Sequence, residues 1–319
     1  MKRRLTMVEN KKPGIGISIA LWVLAFLLTA TMALYQRLTG PTYAIRDSEI
    51  IKGKAIKYVF NRSYTEFKAQ PITITAPDPE VKAFLNFKRY KTDDDWFEIE
   101  MKRDFNNNEQ LTASIPGQPA AGKMEYIVRV SIGGENILLH EGKSVVTRFK
   151  GEVPFAFLFT HVILMFFSIF FSLRTGMEVL RKNGNYMWMV NASLIITFIG
   201  GMILGPIVQQ YAFGDLWTGF PFGFDLTDNK VLVAVLCWFI AFFLKKKSRW
   251  WVILAAAIMI VIYLIPHSVL GSELDYETGK MRNKYGVILK NSGVNGQLTA
   301  LSLKKDNNAF YYWHKKCSF

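Results

Sequence analysis

Five apolar runs, at residues 15–34, 153–173, 186–205, 231–244 and 250–265, limit this chain more than any other feature. A run of about 20 apolar residues matches the roughly 30 Å hydrocarbon core of a bilayer, because an α-helix rises about 1.5 Å per residue. The runs therefore predict helices that cross a membrane. Between the first two lies a polar block, 42–150, long enough for a domain of its own. At 50% hydrophobic residues, the chain is too apolar for one soluble domain and too polar to be wholly embedded.

Charge orients the spans. Lys2, Arg3, Arg4, Lys11 and Lys12 precede the first run. Arg174, Arg181 and Lys182 follow the second, and Lys245, Lys246, Lys247 and Arg249 separate the last two. Alternating spans put all three clusters on one side, which the positive-inside rule assigns to the cytoplasm. The expected topology is N-terminus in, five spans, C-terminus out, in a bacterial inner membrane. The first run is longer than a signal-peptide core and is expected to stay as an anchor, with 1–41 forming the cytoplasmic N-terminus and that anchor. The net charge of +14 follows largely from this topology, so no nucleic-acid partner is expected. Cys237 and Cys317 are the only cysteines, which excludes a disulfide framework. The CxxCH, Walker A, GxSxG, HExxH and GxGxxG patterns are absent.

The block 42–152 alternates apolar and polar residues with period two. Phe97, Ile99 and Met101 share one strand face; Tyr126, Val128, Val130 and Ile132 share another, ahead of a tight turn at Gly133-Gly134. Further strands are expected at 55–60, 72–75, 81–90, 111–115 and 145–149. This spacing predicts an immunoglobulin-like β-sandwich outside the membrane. The fold class is thus an α+β membrane protein, five transmembrane helices plus an extracytoplasmic sandwich. The cluster Lys88, Arg89, Tyr90, Lys91 is either an exposed strand face or a contact for a periplasmic or membrane protein partner. A four-helix membrane domain follows over 153–275, then a polar tail at 276–319, read as poorly ordered.

The stretch 205–230 joins two spans on the outer side and carries Asp215, Asp225 and Asp228. The apolar run after it, about 14 residues, covers only about 21 Å as a helix, so that helix must begin earlier, at 226–230, with Thr227 or Asp228 as N-cap. This draws the acids below the membrane surface, where polar chain survives only inside protein or beside a wet cavity. Gly201-x-x-x-Gly205 offers close helix packing.

His161 lies inside a span, on one helical face with Met165, Ser168 and Ser172. An ionisable group there is a functional candidate by default, and an interhelical hydrogen bond is the plain alternative. His267 closes the last run, followed by Glu273 and Asp275. The topology gathers His161, His267, Asp225, Asp228 and Glu273 at the outer face. Two imidazoles suit a haem iron, and imidazole with carboxylates suits zinc or another divalent ion. A hydrogen-bonded plug closing the bundle is the alternative.

Phe213-Gly214-Asp215-Leu216-Trp217, with Phe224-Asp225, resembles the tryptophan-rich loop of cytochrome c biogenesis haem-handling membrane proteins, roughly Trp-Gly-x-x-Trp-x-Trp-Asp. That resemblance implies a haem-presenting loop with Trp217 and Asp225 in it, and His161 and His267 as ligands. The whole layout, with Lys88-Arg89-Tyr90-Lys91, Asp95-Trp96 and Pro266-His267-Ser268, is similar to an uncharacterised bacterial inner-membrane family, which implies no activity. Three functional readings follow: haem or metal handling at the outer face, a structural or assembly subunit without a cofactor, and a transporter component. No catalytic constellation names a reaction.

Overall fold

The computed structural model describes residues 15–266, 271, 273–276, 279, 281 and 282. The first apolar run is α1 (Ile15–Thr39), which buries only Ala25 and Thr29. Its largely exposed apolar surface suits a helix solvated by lipid.

Eleven strands follow: β1 (Ile45–Ile51), β2 (Lys54–Phe60), β3 (Ser63–Thr65), β4 (Gln70–Thr75), β5 (Lys82–Arg89), β6 (Phe97–Glu100), β7 (Lys102–Arg103), β8 (Gln110–Ile115), β9 (Lys123–Ile132), β10 (Glu135–Leu138) and β11 (Val145–Lys150). They form two sheets, β1-β2-β4-β8-β7 and β3-β11-β9-β5-β6, with β10 also on β9. Pairing is antiparallel except between β11 and β3. The sheets share one core: Ile56, Tyr58, Phe60, Ile72 and Ile74 meet Leu85, Met124, Tyr126, Val128 and Val130. Period two explains this directly, since alternate residues of a strand point to one face. Every second residue of β9 is buried, including the expected Tyr126, Val128, Val130 and Ile132. Gly133 and Gly134 take positive φ in the turn to β10, as expected.

Residues 97–103 depart from the expected single strand. The chain pairs with β5 as β6, then passes to the other sheet as β7. Met101 sits at the crossing, buried, with its N–H on Ala83 O (2.8 Å). Phe97 consequently lies on the exposed side rather than sharing the core with Met101. Strands β1 and β3 have no sequence counterpart above, because β1 is charged at its centre and β3 is three residues long.

Beyond the sandwich come α2 (Phe155–Leu180), α3 (Met187–Thr197), a π-helical segment Phe198–Leu204, α4 (Gly205–Phe213), α5 (Leu226–Leu244) and α6 (Trp250–Leu264). Among the described residues, four helical stretches are long and apolar enough to cross a membrane: Ile15–Thr39, Phe155–Leu180, the continuous Met187–Phe213, and Leu226–Leu244. The expected fifth span is shorter: 15 residues make α6, about 22 Å. The expected connector from Gly205 is also corrected. Residues 205–213 stay helical, and Gly214 (φ 88°) ends the helix in the left-handed region.

Down the bundle, α2 lays a polar stripe against α3. Ser168 Oγ meets Thr197 Oγ1 at 2.5 Å and Thr175 Oγ1 meets Ser193 Oγ at 3.1 Å, all four residues being fully buried. Ser168 and Ser172 thus face the bundle, as their spacing with His161 predicts. At the end away from the sandwich, buried Glu178 pairs with Arg174 (2.7 Å) and Arg181 (2.9 Å) of its own helix and its termination. The guanidinium of Arg174 also lies 4.9 Å from the Trp22 ring of α1.

Past α6, β12 (Glu273–Leu274) pairs with β13 (Met281–Arg282). The boundary expected at 275/276 therefore falls inside a hairpin. Residues 283–319, most of the expected tail, lie outside the described residues, as do the basic residues 1–12.

Candidate functional site

The sandwich end of the bundle gathers the buried acids, and α5 sets their positions. Asp225 is its N-cap: the carboxylate accepts from Thr227 N (2.8 Å) and Asp228 N (3.4 Å), satisfying two of the free amides of a helix start. The helix thus begins at Leu226, as its length requires, but the cap is Asp225 rather than Thr227 or Asp228.

Asp228, one turn in, is held by neutral donors. Its Oδ2 accepts from Thr218 N (2.6 Å), Thr218 Oγ1 (3.0 Å) and Gln209 Nε2 (3.1 Å). Gln209 comes from α4 and Thr218 from the 214–225 loop, so one carboxylate ties three segments together. Gly219 allows this approach: a Cβ there would lie 2.6 Å from Asp228 Cβ. Two residues on, buried Lys230 directs Nζ to Ile265 O (3.0 Å) at the end of α6. Gln36 of α1 donates to Tyr263 O and to Ile265 O (3.0 Å). Orphan carbonyls at a helix C-terminus favour such donors, a cation most of all.

The sandwich closes the same place from above. Arg148, near the end of β11, is buried with its guanidinium 3.9 Å from the Phe213 ring. Asp225 and Glu273 supply negative charge around it; burial nonetheless lowers its pKa to about 10. Gly151 N donates to Ala212 O (2.9 Å), and a Cβ on Gly151 would lie 2.2 Å from Tyr211 O. No side chain fits between strand end and helix end.

The segment after α6 completes the joint. Glu273 takes Lys91 Nζ and Lys123 Nζ, each at 2.7 Å. Burial raises the Glu273 pKa, but hydrogen bonds from both lysines outweigh it and hold the carboxyl below its ordinary value. Leu274 N reaches Ala121 O (3.2 Å), and the Tyr276 hydroxyl accepts from Lys123 N and donates to Lys123 O. Arg89 lies over the Tyr276 ring (5.1 Å) and forks onto Asp94. Lys88 pairs with Glu125 (3.4 Å). The cluster Lys88 to Lys91 thus spends its charge within the chain, much of it gripping residues 273–276.

The described members of the expected ligand set each have protein partners. His161 directs Nδ1 to Gly200 O (2.9 Å). A carbonyl can only accept, so Nδ1 carries the proton and Nε2 is left with the lone pair. Gly200 O also receives Gly205 N–H, a five-residue bond of the π segment. The plain reading of His161, a bond between helices, is what the geometry displays. His267 lies outside the described residues. Glu273 is taken by two lysines, Asp228 by Thr218 and Gln209, and Asp225 by its helix. Among the described residues, no three His, Cys, Asp or Glu groups converge to hold a metal ion. Trp217 is half-buried with Nε1 on Phe220 O (3.0 Å). Gly201 packs so closely on Val231 that a Cβ would lie 2.5 Å from its Cγ1, while Gly205 lies against His161 instead. The two glycines serve different neighbours.

Sequence reasoning passed over Arg148, Lys123, Gln209 and Thr218. The one signal was an arginine beside Phe149 in the last strand before a span, where Thr147, Arg148 and Phe149 are all buried and the alternation fails. Asp215 is also buried, one carboxylate oxygen having no hydrogen-bond partner, and burial raises its pKa.

No family model matches the chain, and no curated protein matches it. Among solved structures, a crystal structure of a bromine derivative of BhCBM56 aligns with 34% of this chain and 95% of its own, at 11% identity and a TM-score of 0.21.

Proposed function

We propose that this chain is a structural or assembly subunit of a bacterial inner membrane. Its helices orient an immunoglobulin-like domain on the outer side, where that domain docks a protein partner. The observation that carries this reading is the joint. A domain on a slack tether needs no buried arginine, no interlocked glycines and no return segment clamped by two lysines. Here Arg148, Gly151 and the Lys91–Glu273–Lys123 bridge tie the sandwich to the helix ends and to residues 273–276. Such fixation suits a protein that presents a surface at a set height and angle. The basic inner loops support the orientation.

Photo-crosslinking in cells tests this. A photoreactive residue replaces exposed Ile50, Phe67 or Phe105 of the sandwich in turn. One position is expected to give a discrete protein adduct that weakens in Arg148→Ala while the protein stays in the membrane. No adduct from any of the three, together with a Soret band or stoichiometric metal lost in His161→Ala, would overturn the reading in favour of a ligand site.

A further inference from the structure

The 214–225 loop turns its acids and its apolar side chains in opposite directions. Asp215, Thr218, Asp225 and the adjoining Asp228 are buried. Phe220, Phe222 and Phe224 are exposed at 64%, 69% and 55%, and Leu216 at 50%. Exposing four large apolar groups to water would be costly, at about 25 cal/mol per Å².

The fastening of the loop shows which solvent those side chains meet. It does not arch above α5 but runs back beside it. Phe220 N donates to Asn229 Oδ1 (2.7 Å), and Asn229 is the fourth residue of that helix. Thr218 is bound to Asp228 at the same level. Phe222 N and Gly223 N both close on Gly219 O (2.9 Å), a tight turn that thrusts its tip outward. The tip is therefore lateral to the first turn of a helix apolar enough to span a membrane. Exposed apolar side chains continue along that helix at Val233 and Leu236, and α2 exposes Phe155 and Phe159 near its start.

We propose that residues 216–224 are an interfacial wedge whose occupant is the lipid bilayer. Phe220, Phe222, Phe224 and Leu216 enter the boundary between headgroups and acyl chains, where apolar and aromatic side chains anchor membrane proteins. Behind them, Thr218 and Gly219 screen the Asp228 carboxylate from lipid. The loop thereby makes tolerable a charge-bearing first turn at membrane depth. This inference depends on the helices lying in a bilayer and not on the assembly reading above.

The test uses the unmodified protein in vesicles of phosphatidylcholine and phosphatidylglycerol carrying a diazirine lipid. Mass spectrometry after illumination is expected to find lipid adducts on 216–224 at yields within about threefold of those on Phe155 and Phe159, and none around Phe105. Adducts confined to the helices would overturn the proposal. A second measurement places a nitroxide at Phe222→Cys or Phe105→Cys, in a Cys237→Ala, Cys317→Ser background. Oxygen should relax the label at 222 more strongly than a water-soluble nickel chelate, with the order reversed at 105. A label at 222 that behaves like the one at 105 would also overturn it.

Discussion

At the end away from the sandwich, Glu178 finds both its arginines within three and four residues on the same stretch of chain, and Asn185 N supplies a third donor at 3.1 Å. At the sandwich end, Asp228 draws its donors from α4 and the loop, Arg148 packs on Phe213, and Glu273 is bridged by Lys91 of the turn after β5 and Lys123 of β9. One end neutralises buried charge locally; the other does so only once the domain, the loop and the returning segment have met. Local pairs form with the helix itself. Remote ones make correct assembly of the two regions a condition for burying charge at all.

Three measurements would break or sharpen this contrast. Arg148→Ala should have the largest effect, about 3–5 kcal/mol of lost stability, because it strips a buried charge from carboxylates that stay behind. The readouts are thermal unfolding in detergent and faster proteolysis near residue 151; an unchanged melting curve would mean that the joint does not couple the regions. Arg181→Ala should cost about 1 kcal/mol, since Glu178 keeps Arg174 and Asn185 N. A loss as large as that at Arg148 would remove the distinction between the ends. The smallest effect is expected from acid. The folded pKa of Glu273 is lowered, so its contribution is present above the ordinary carboxylate value and is lost as pH falls through the folded value. Hydrogen exchange of residues 273–276 should therefore quicken, relative to the sandwich core, only at the acid end of a titration.

The same contrast explains what was legible in the sequence. The start of α5 follows from the shortfall of its apolar run, and β9 from strict alternation, because both depend on neighbours in the chain. The i, i+4 spacing of Arg174 and Glu178 is equally open to inspection. Arg148, Gln209 and Thr218 are not, since each acquires its role from a partner on another element. The ligand expectation for Glu273 shows the cost of reasoning by region. Topology brought it near the other acids, but Lys91 and Lys123, far off in the sandwich, had claim to it. The expectation that 205–230 forms one connector failed because residues 205–213 stay helical, with Pro206 at the junction of the π segment and α4.

The π segment at Phe198–Leu204 carries a consequence for how this protein can vary. Its wider turn holds a surplus residue, and each residue advances an α-helix by about 100°. Deleting one residue there would return the helix to ordinary winding with the turns beyond it still in phase, so that Gln209 keeps Asp228 and the carbonyls of Tyr211 and Ala212 keep Gly151. The same deletion in the straight helix to either side would swing everything beyond it by about 100°. The stretch between Gly200 and Gly205 is therefore where this helix should absorb the loss of a residue, and a deletion one turn away should be far less tolerated.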